Sequence, residues 1–267
     1  MNDPSADWWS TSISDISPGI IRYRGYEVAE LIESMSFASM VWLMVRGDLP
    51  TSGQAHLLER ALVASVDHGP QAPSIAIARM AMTCGVDINN AMASATNVLG
   101  DVHGGASQQL MEILEPLSSL DGAALPDAVT AVIADHHQRG AYIPGFGHRF
   151  HPIDPRRDPL VAATEAAVGA GDAAGNHLRA CLEIERQLAL GRDKPVPMNI
   201  DGITATIYAE LGFPPTLGRG LFVLSRSVGI LAHAWEESQS GQRNKGPIAR
   251  HLLPTYTGEP VRPLPPH

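Results

Sequence analysis

The chain has 267 residues, 44% hydrophobic and 18% charged, which is material for a sizeable core in one large domain or two smaller ones. Its formal net charge of -9 argues against nucleic-acid or anionic-membrane surfaces as partners. Cys84 and Cys181 lack zinc or disulfide spacing, no run of about 18 apolar residues offers a membrane span, and polar Met1–Ser10 is no signal peptide, so a reduced, cytoplasmic protein is expected.

In chain order the apolar periodicity is helical almost throughout. Ile20 to Arg24 reads as a short extended piece. Val28, Leu31, Ile32 and Met35 make a short stripe, and Ser36 is placed to cap a helix over Phe37 to Arg46 that Gly47 stops. Leu57, Leu58, Ala61 and Leu62 mark the next helix. Ile75 to Cys84 follows, ended by Gly85, and Asp87 is placed to cap a helix through Leu99, stopped by Gly100. Further helices are predicted over Leu110 to Leu117, Pro126 to Gln138, Leu160 to Val168, His177 to Leu190 and Ile203 to Leu211. The last helix spaces Leu217, Leu221, Leu224, Val228, Leu231 and Trp235 by fours and threes, the pattern of one buried stripe. Pro247 to His267 holds six prolines and is expected either as a loose tail or as a segment draped over a neighbour. The class is therefore all-α.

Three glycine-flanked polar segments stand out: His103-Gly104-Gly105-Ala106, Gly145-Phe146-Gly147-His148-Arg149, and Asn199-Ile200-Asp201-Gly202. Glycine lets backbone approach a ligand closely, histidine moves a proton near neutral pH, and Arg149, Arg156 and Arg157 offer donors to carboxylate or phosphate. Two histidines and an aspartate are the parts of enolate chemistry at a carbonyl. Each residue also has a plainer reading. His103 and His148 are otherwise loop histidines, the arginines a basic loop paired with Asp154 and Asp158, and Asp201 a helix N-cap. Arg226 lies in the apolar stretch Leu221 to Ala232, so it should meet a carboxylate, either of the protein or of a substrate. His233, about two turns on, reads equally well as a core histidine. Asp67-His68-Gly69 closes a helix. Asp135-His136-His137 is not expected to bind metal, because adjacent helical histidines point apart.

In order, these segments resemble the citrate synthase superfamily along nearly the whole chain. Ile21-Arg22-Tyr23-Arg24-Gly25-Tyr26 and Gly47-Asp48-Leu49-Pro50 look like its opening and its first turn. Asp67-His68, the three glycine-flanked segments, Asp154-Pro155-Arg156 and Ser225-Arg226 follow in its sequence. The resemblance implies a large helical domain (residues 1–104 and 213–267) and a smaller one (105–212), with the site in the cleft between them and a homodimer, with Ile75 to Val98 as a helical interface. It implies Asp201 as the base at the acyl-CoA α-carbon, His103 stabilising the enolate, and His148 polarising the keto carbonyl of oxaloacetate. His68, Arg156, Arg226 and Arg250 would hold carboxylates, Arg250 from the partner subunit, while Arg149 and Lys194 would meet CoA phosphates. No permanent cofactor or metal is implied, only a coenzyme A thioester as substrate. A missing N-terminal portion, Gly202 in place of an aromatic, Arg250-His251 and the Gly220-to-Gly229 stretch look most like the citryl-CoA lyase branch. His103, which the ATP-citrate lyase branch often lacks, keeps citrate or 2-methylcitrate synthesis open, and a non-catalytic acyl-CoA or dicarboxylate binder is the alternative of another class.

Overall fold

The structure, a computed structural model, describes residues 8–249 and 251–265. It opens with a small antiparallel sheet of β1 (Ser14–Ser17), β2 (Ile20–Tyr23) and β3 (Tyr26–Glu27), in that order. Ser14 faces Tyr23 in one pair and Arg22 faces Glu27 in the other. Arg24, at φ 50°, turns the chain between β2 and β3. Its guanidinium then donates to Met44 O from Nε at 3.2 Å and Nη2 at 2.7 Å, pinning the sheet to the helix behind it. This is the structural use of the Tyr-Arg-Gly-Tyr segment, of which sequence periodicity showed only one strand.

Helices follow: α1 (Val28–Ser34), α2 (Phe37–Arg46), α3 (Ser52–Ser65), α4 (Pro73–Thr83), α5 (Ile88–Asn97), α6 (Ala106–Ser118), α7 (Ala124–Gln138), α8 (Arg157–Ala170), α9 (Asn176–Leu188), α10 (Ile200–Glu210) and α11 (Pro215–Gln239). Local chemistry explains many ends. Ser36 accepts from Ser39 N at the start of α2, and Gly47 at φ 90° closes it. Thr51 and Gln54 form a capping box on α3, and Pro73 occupies the first turn of α4. Asp87 holds the expected cap position of α5, but its side chain makes no capping hydrogen bond.

Two hydrophobic cores form. The larger joins α2 and α3 to α6, α8, α9 and α10 around Leu58, Leu110, Ile184, Ile203 and Tyr208, all 0% exposed. The smaller gathers Ala72, Ile75, Ala78, Ala91, Ala95, Ile230 and Ala234 from α4, α5 and α11. The Ile75-to-Val98 stripe therefore packs much of its apolar face inside its own chain. The predicted stripe on α11 divides instead: Leu221 is buried, but Leu224, Val228, Leu231 and Trp235 are exposed, Trp235 by 60%. Seven-residue spacing places residues on one helical face without saying what covers it. The described part of the proline-rich tail, from Ile248 on, is exposed and non-helical.

Candidate active site

A cleft of about 450 Å³ lies where the two cores meet. His68, His103, His148, Arg149, Asp201 and Arg226 all line it, brought together from five separate stretches of chain. Arg156 lines an adjoining trough of about 560 Å³ that shares His68 and also holds His151. Lys194 sits exposed on the loop between α9 and α10 and lines neither space. Arg250 lies outside the described residues.

His103 ends a tight loop in which Gly100 N donates to His103 O at 2.9 Å. Gly104 follows at φ 94°, a conformation open to glycine. The ring Nε2 accepts from Ser74 N at 3.2 Å and lies 3.0 Å from Ser74 Oγ. Ser74 N is one of the amides that the first turn of α4 leaves free. Because an amide only donates, Nε2 is the acceptor and the proton resides on Nδ1. Burial, reinforced by Arg226, lowers the imidazole pKa, so His103 is a neutral N–H donor.

His148 is fixed in the opposite tautomer. Its Nδ1 accepts from Phe150 N at 3.0 Å and His151 N at 3.1 Å, which leaves the proton on Nε2. Burial lowers this pKa too, with His151 and Arg156 adding to the effect and Asp154 opposing it. The ring centroid lies 5.4 Å from that of His68 and 4.6 Å from that of His151. His68 is likewise lowered, by burial first and then by Arg156 and Arg226.

Asp201 is not the cap of its helix. Asn199 takes that position, its Oδ1 accepting from Asp201 N at 2.9 Å and Gly202 N at 3.2 Å. Its Nδ2 donates to Gly147 O at 2.7 Å, so one amide side chain ties the His148 loop to the helix that carries Asp201. The Asp201 carboxyl is free for other work, and burial raises its pKa against the pull of Arg226 and Arg156. An Asn before the helix was a legible cap signal, since asparagine ranks with aspartate there.

The arginines separate by partner. Arg157 pairs with Asp158, as the plainer reading held, and also with Glu185, which joins α8 to α9. Arg156 donates to both oxygens of Asp154, Nε to Oδ1 at 2.9 Å and Nη2 to Oδ2 at 2.8 Å. Asp154 also accepts from Ile200 N at 3.1 Å, and the Arg156 contacts and this amide overcome burial to hold its pKa down at about 2. Arg226 is 3% exposed, yet no carboxylate lies in ion-pair reach of it among the described residues. Its Nε donates to Ser65 O at 3.2 Å and its guanidinium carbon stands 5.0 Å over the Phe222 ring. Of the two partners the sequence left open, a protein carboxylate is not hydrogen-bonded to it among the described residues.

The arrangement offers one base of raised pKa, two neutral imidazoles with defined N–H donors, and a buried guanidinium. That set suits proton transfer at a carbon beside one carbonyl and bond making or breaking at a second. Sequence reasoning missed Ser74, Asn199 as the cap, and His151, whereas the pairing of Arg156 with Asp154 is the one the plainer reading gave.

The family model for the citrate synthase C-terminal domain matches residues 5–56 and 52–251. A solved citryl-CoA lyase from Hydrogenobacter thermophilus superposes with a TM-score of 0.84 at 30% identity, covering 96% of this chain and 97% of that one. A solved ATP citrate lyase from Methanothrix soehngenii shares the fold, with a TM-score of 0.78 at 21% identity over 97% of this chain and 45% of that one. The citrate synthase of Haloferax volcanii is 31% identical over 238 residues, 88% of this chain and 59% of that protein. The chain thus spans under two thirds of the curated synthases it matches.

Proposed function

Since the chain belongs to the citrate synthase family, we propose that it is a citryl-CoA lyase, splitting citryl-CoA reversibly into acetyl-CoA and oxaloacetate. The observation that carries this reading is Arg226: a buried cation with no carboxylate of the described residues in ion-pair reach, lining the cleft beside His68. An unpaired buried charge is costly, and an anionic substrate offsets that cost when it binds.

In the condensing direction Asp201 removes the α-proton of the acetyl thioester, and the Nδ1–H of His103 hydrogen-bonds the enolate oxygen. The Nε2–H of His148 polarises the ketone of oxaloacetate, whose carboxylates face Arg226, His68 and Arg156. Cleavage runs the same steps backward: the C3 hydroxyl releases its proton to solvent as the carbon–carbon bond breaks and the ketone forms, and the enolate collects a proton from protonated Asp201. The raised pKa of Asp201 suits both directions, since it gives and takes a proton closer to neutral pH than an ordinary carboxyl. Neutral imidazoles suit it as well, because a donor that keeps its own proton leaves the enolate nucleophilic.

The likeness to a solved citryl-CoA lyase, with a TM-score of 0.84 at 30% identity, supports the lyase reading. A short citrate or 2-methylcitrate synthase is the second reading, favoured by curated relatives that carry those names. A non-catalytic binder does not account for two histidines locked in complementary tautomers around a free aspartate.

Coenzyme A enters as the substrate's thioester and not as a resident cofactor, with Arg149 and Lys194 near its phosphates. Residues 105–212 form the smaller lobe, bounded by Gly104 at φ 94° and Gly212 at φ 73°, and close on ligand against 1–104 and 213–267. The working unit is a homodimer, with Arg250 reaching the partner's cleft.

Product analysis tests the reading. Citryl-CoA yielding oxaloacetate and acetyl-CoA without free thiol supports the lyase. Free CoA from acetyl-CoA plus oxaloacetate supports the synthase. Silence in both assays rejects the two together.

A further inference from the structure

The turn that carries His68 is held from behind by a chain of polar contacts that the cleft chemistry does not use. One face of α11 fastens the C-terminal end of α3. Arg226 Nε donates to Ser65 O at 3.2 Å and Gly229 N donates to Val66 O at 3.1 Å. A Cβ on residue 229 would stand 2.2 Å from Val66 O and 3.0 Å from Asp67 Oδ1, so only glycine admits this approach. One helical turn further along, His233 Nε2 lies 3.3 Å from Asp67 Oδ2.

The direction of that bond is fixed by what lies on the other side of the ring. Arg79 Nη1 stands 3.2 Å from His233 Nδ1. A guanidinium has no acceptor, so Nδ1 accepts and the proton sits on Nε2, donating to Asp67. Arg79 is anchored in turn by Glu236 and by Glu237, whose side chain is fully buried and lies 2.6 Å from Arg79 Nη2. Asp67 accepts from Gly69 N at 3.1 Å, closing the turn around His68. Burial favours a protonated Asp67, but the His233 bond and the amides of Gly69 and His68 prevail and hold its pKa low.

We propose that His233 is a positioning residue, which with Arg79 behind it and Asp67 before it sets the turn that presents His68 to a carboxylate-bearing substrate. His68 lines both the cleft and the adjoining trough that holds Arg156, so its placement bears on the acid portion of the substrate and not on the thioester. The inference rests on the proposed function for the identity of that acid.

The test compares His233→Gln with His233→Leu. The N–C–O edge of glutamine matches Nε2–Cε1–Nδ1, so it donates to Asp67 and accepts from Arg79; leucine does neither. Oxaloacetate binding is read by calorimetry, citryl-CoA cleavage by KM and kcat, and the ligand-free placement of His68 by the NMR shift of its Cε1–H. The expected result for His233→Leu is oxaloacetate affinity about tenfold weaker, KM raised in step, kcat within about twofold, and the His68 resonance moved. His233→Gln should restore all of these. A His68 resonance unmoved by His233→Leu, or glutamine no better than leucine, overturns the inference. Wild-type protein that binds no oxaloacetate while the resonance follows this pattern overturns the functional reading and leaves the positioning role standing. Should His233→Leu not fold, Asp67→Asn, at a side chain 38% exposed, removes the same acceptor charge and is expected to move His68 likewise.

Discussion

Gly145 and Gly202 cross backbone on backbone: a Cβ on residue 202 would stand 2.2 Å from Gly145 O, and one on residue 145 would stand 2.8 Å from Gly202 Cα. This crossing brings the His148 loop onto the first turn of α10, where Asn199 N donates to Gly145 O at 2.9 Å. Gly202→Ala is therefore expected to push His148 away from Asp201. The overpacking should cost about 1–3 kcal/mol of stability, read in chemical denaturation, and turnover should fall by more than that loss of folded protein explains.

Asp201→Asn should lower turnover by roughly 10²- to 10⁴-fold while leaving acyl-CoA binding within a few fold, measured by single-turnover assay and calorimetry. The base must be ionised to accept the α-proton. Its raised pKa therefore places the acid limb of kcat/KM for condensation above the ordinary carboxyl range, with activity lost as pH falls through it. Retention of that limb in the asparagine variant would assign it to another group.

Arg226→Met separates function from stability. It removes a buried charge that lacks an ion-paired partner among the described residues, so thermal stability should hold or rise. Binding of oxaloacetate should weaken by more than tenfold. Arg226 also draws the Asp201 pKa down, so its removal should move the acid limb to higher pH. Unchanged affinity together with lost stability would mark Arg226 as structural.

His103→Ala should reduce turnover by about 10²- to 10³-fold, the usual cost of one oxyanion donor. His103→Asn offers an N–H near the Nδ1 position and should recover part of this. Equal loss in both variants would contradict the assigned tautomer.

Acid stability should depend on Asp154. Its folded pKa of about 2 lies below the unfolded value, so its contribution is present above about pH 4 and disappears as pH falls toward 2. Asp154→Asn should be less stable than wild type at neutral pH, and the difference should shrink across that window in pH-dependent denaturation.

The sequence by itself determined what depends on neighbours a few residues away. Ser36 and Gly47 delimit α2, Gly104 and Gly147 take the positive φ that glycine invites, and the order of the polar segments points to the family. The tertiary structure alone decided what distant partners control. Asn199 caps α10 because its amide also meets Gly147, 52 residues away, which leaves Asp201 free. His103 takes its tautomer from Ser74, 29 residues away, and His233 meets Asp67 across 166 residues. The stripe on α11 is continuous in sequence, yet it faces a core at Leu221 and solvent at Trp235. Helix caps and turns follow from local backbone chemistry. Burial, charge pairing and proton position are properties of what the folded chain places alongside, and periodicity carries no record of it.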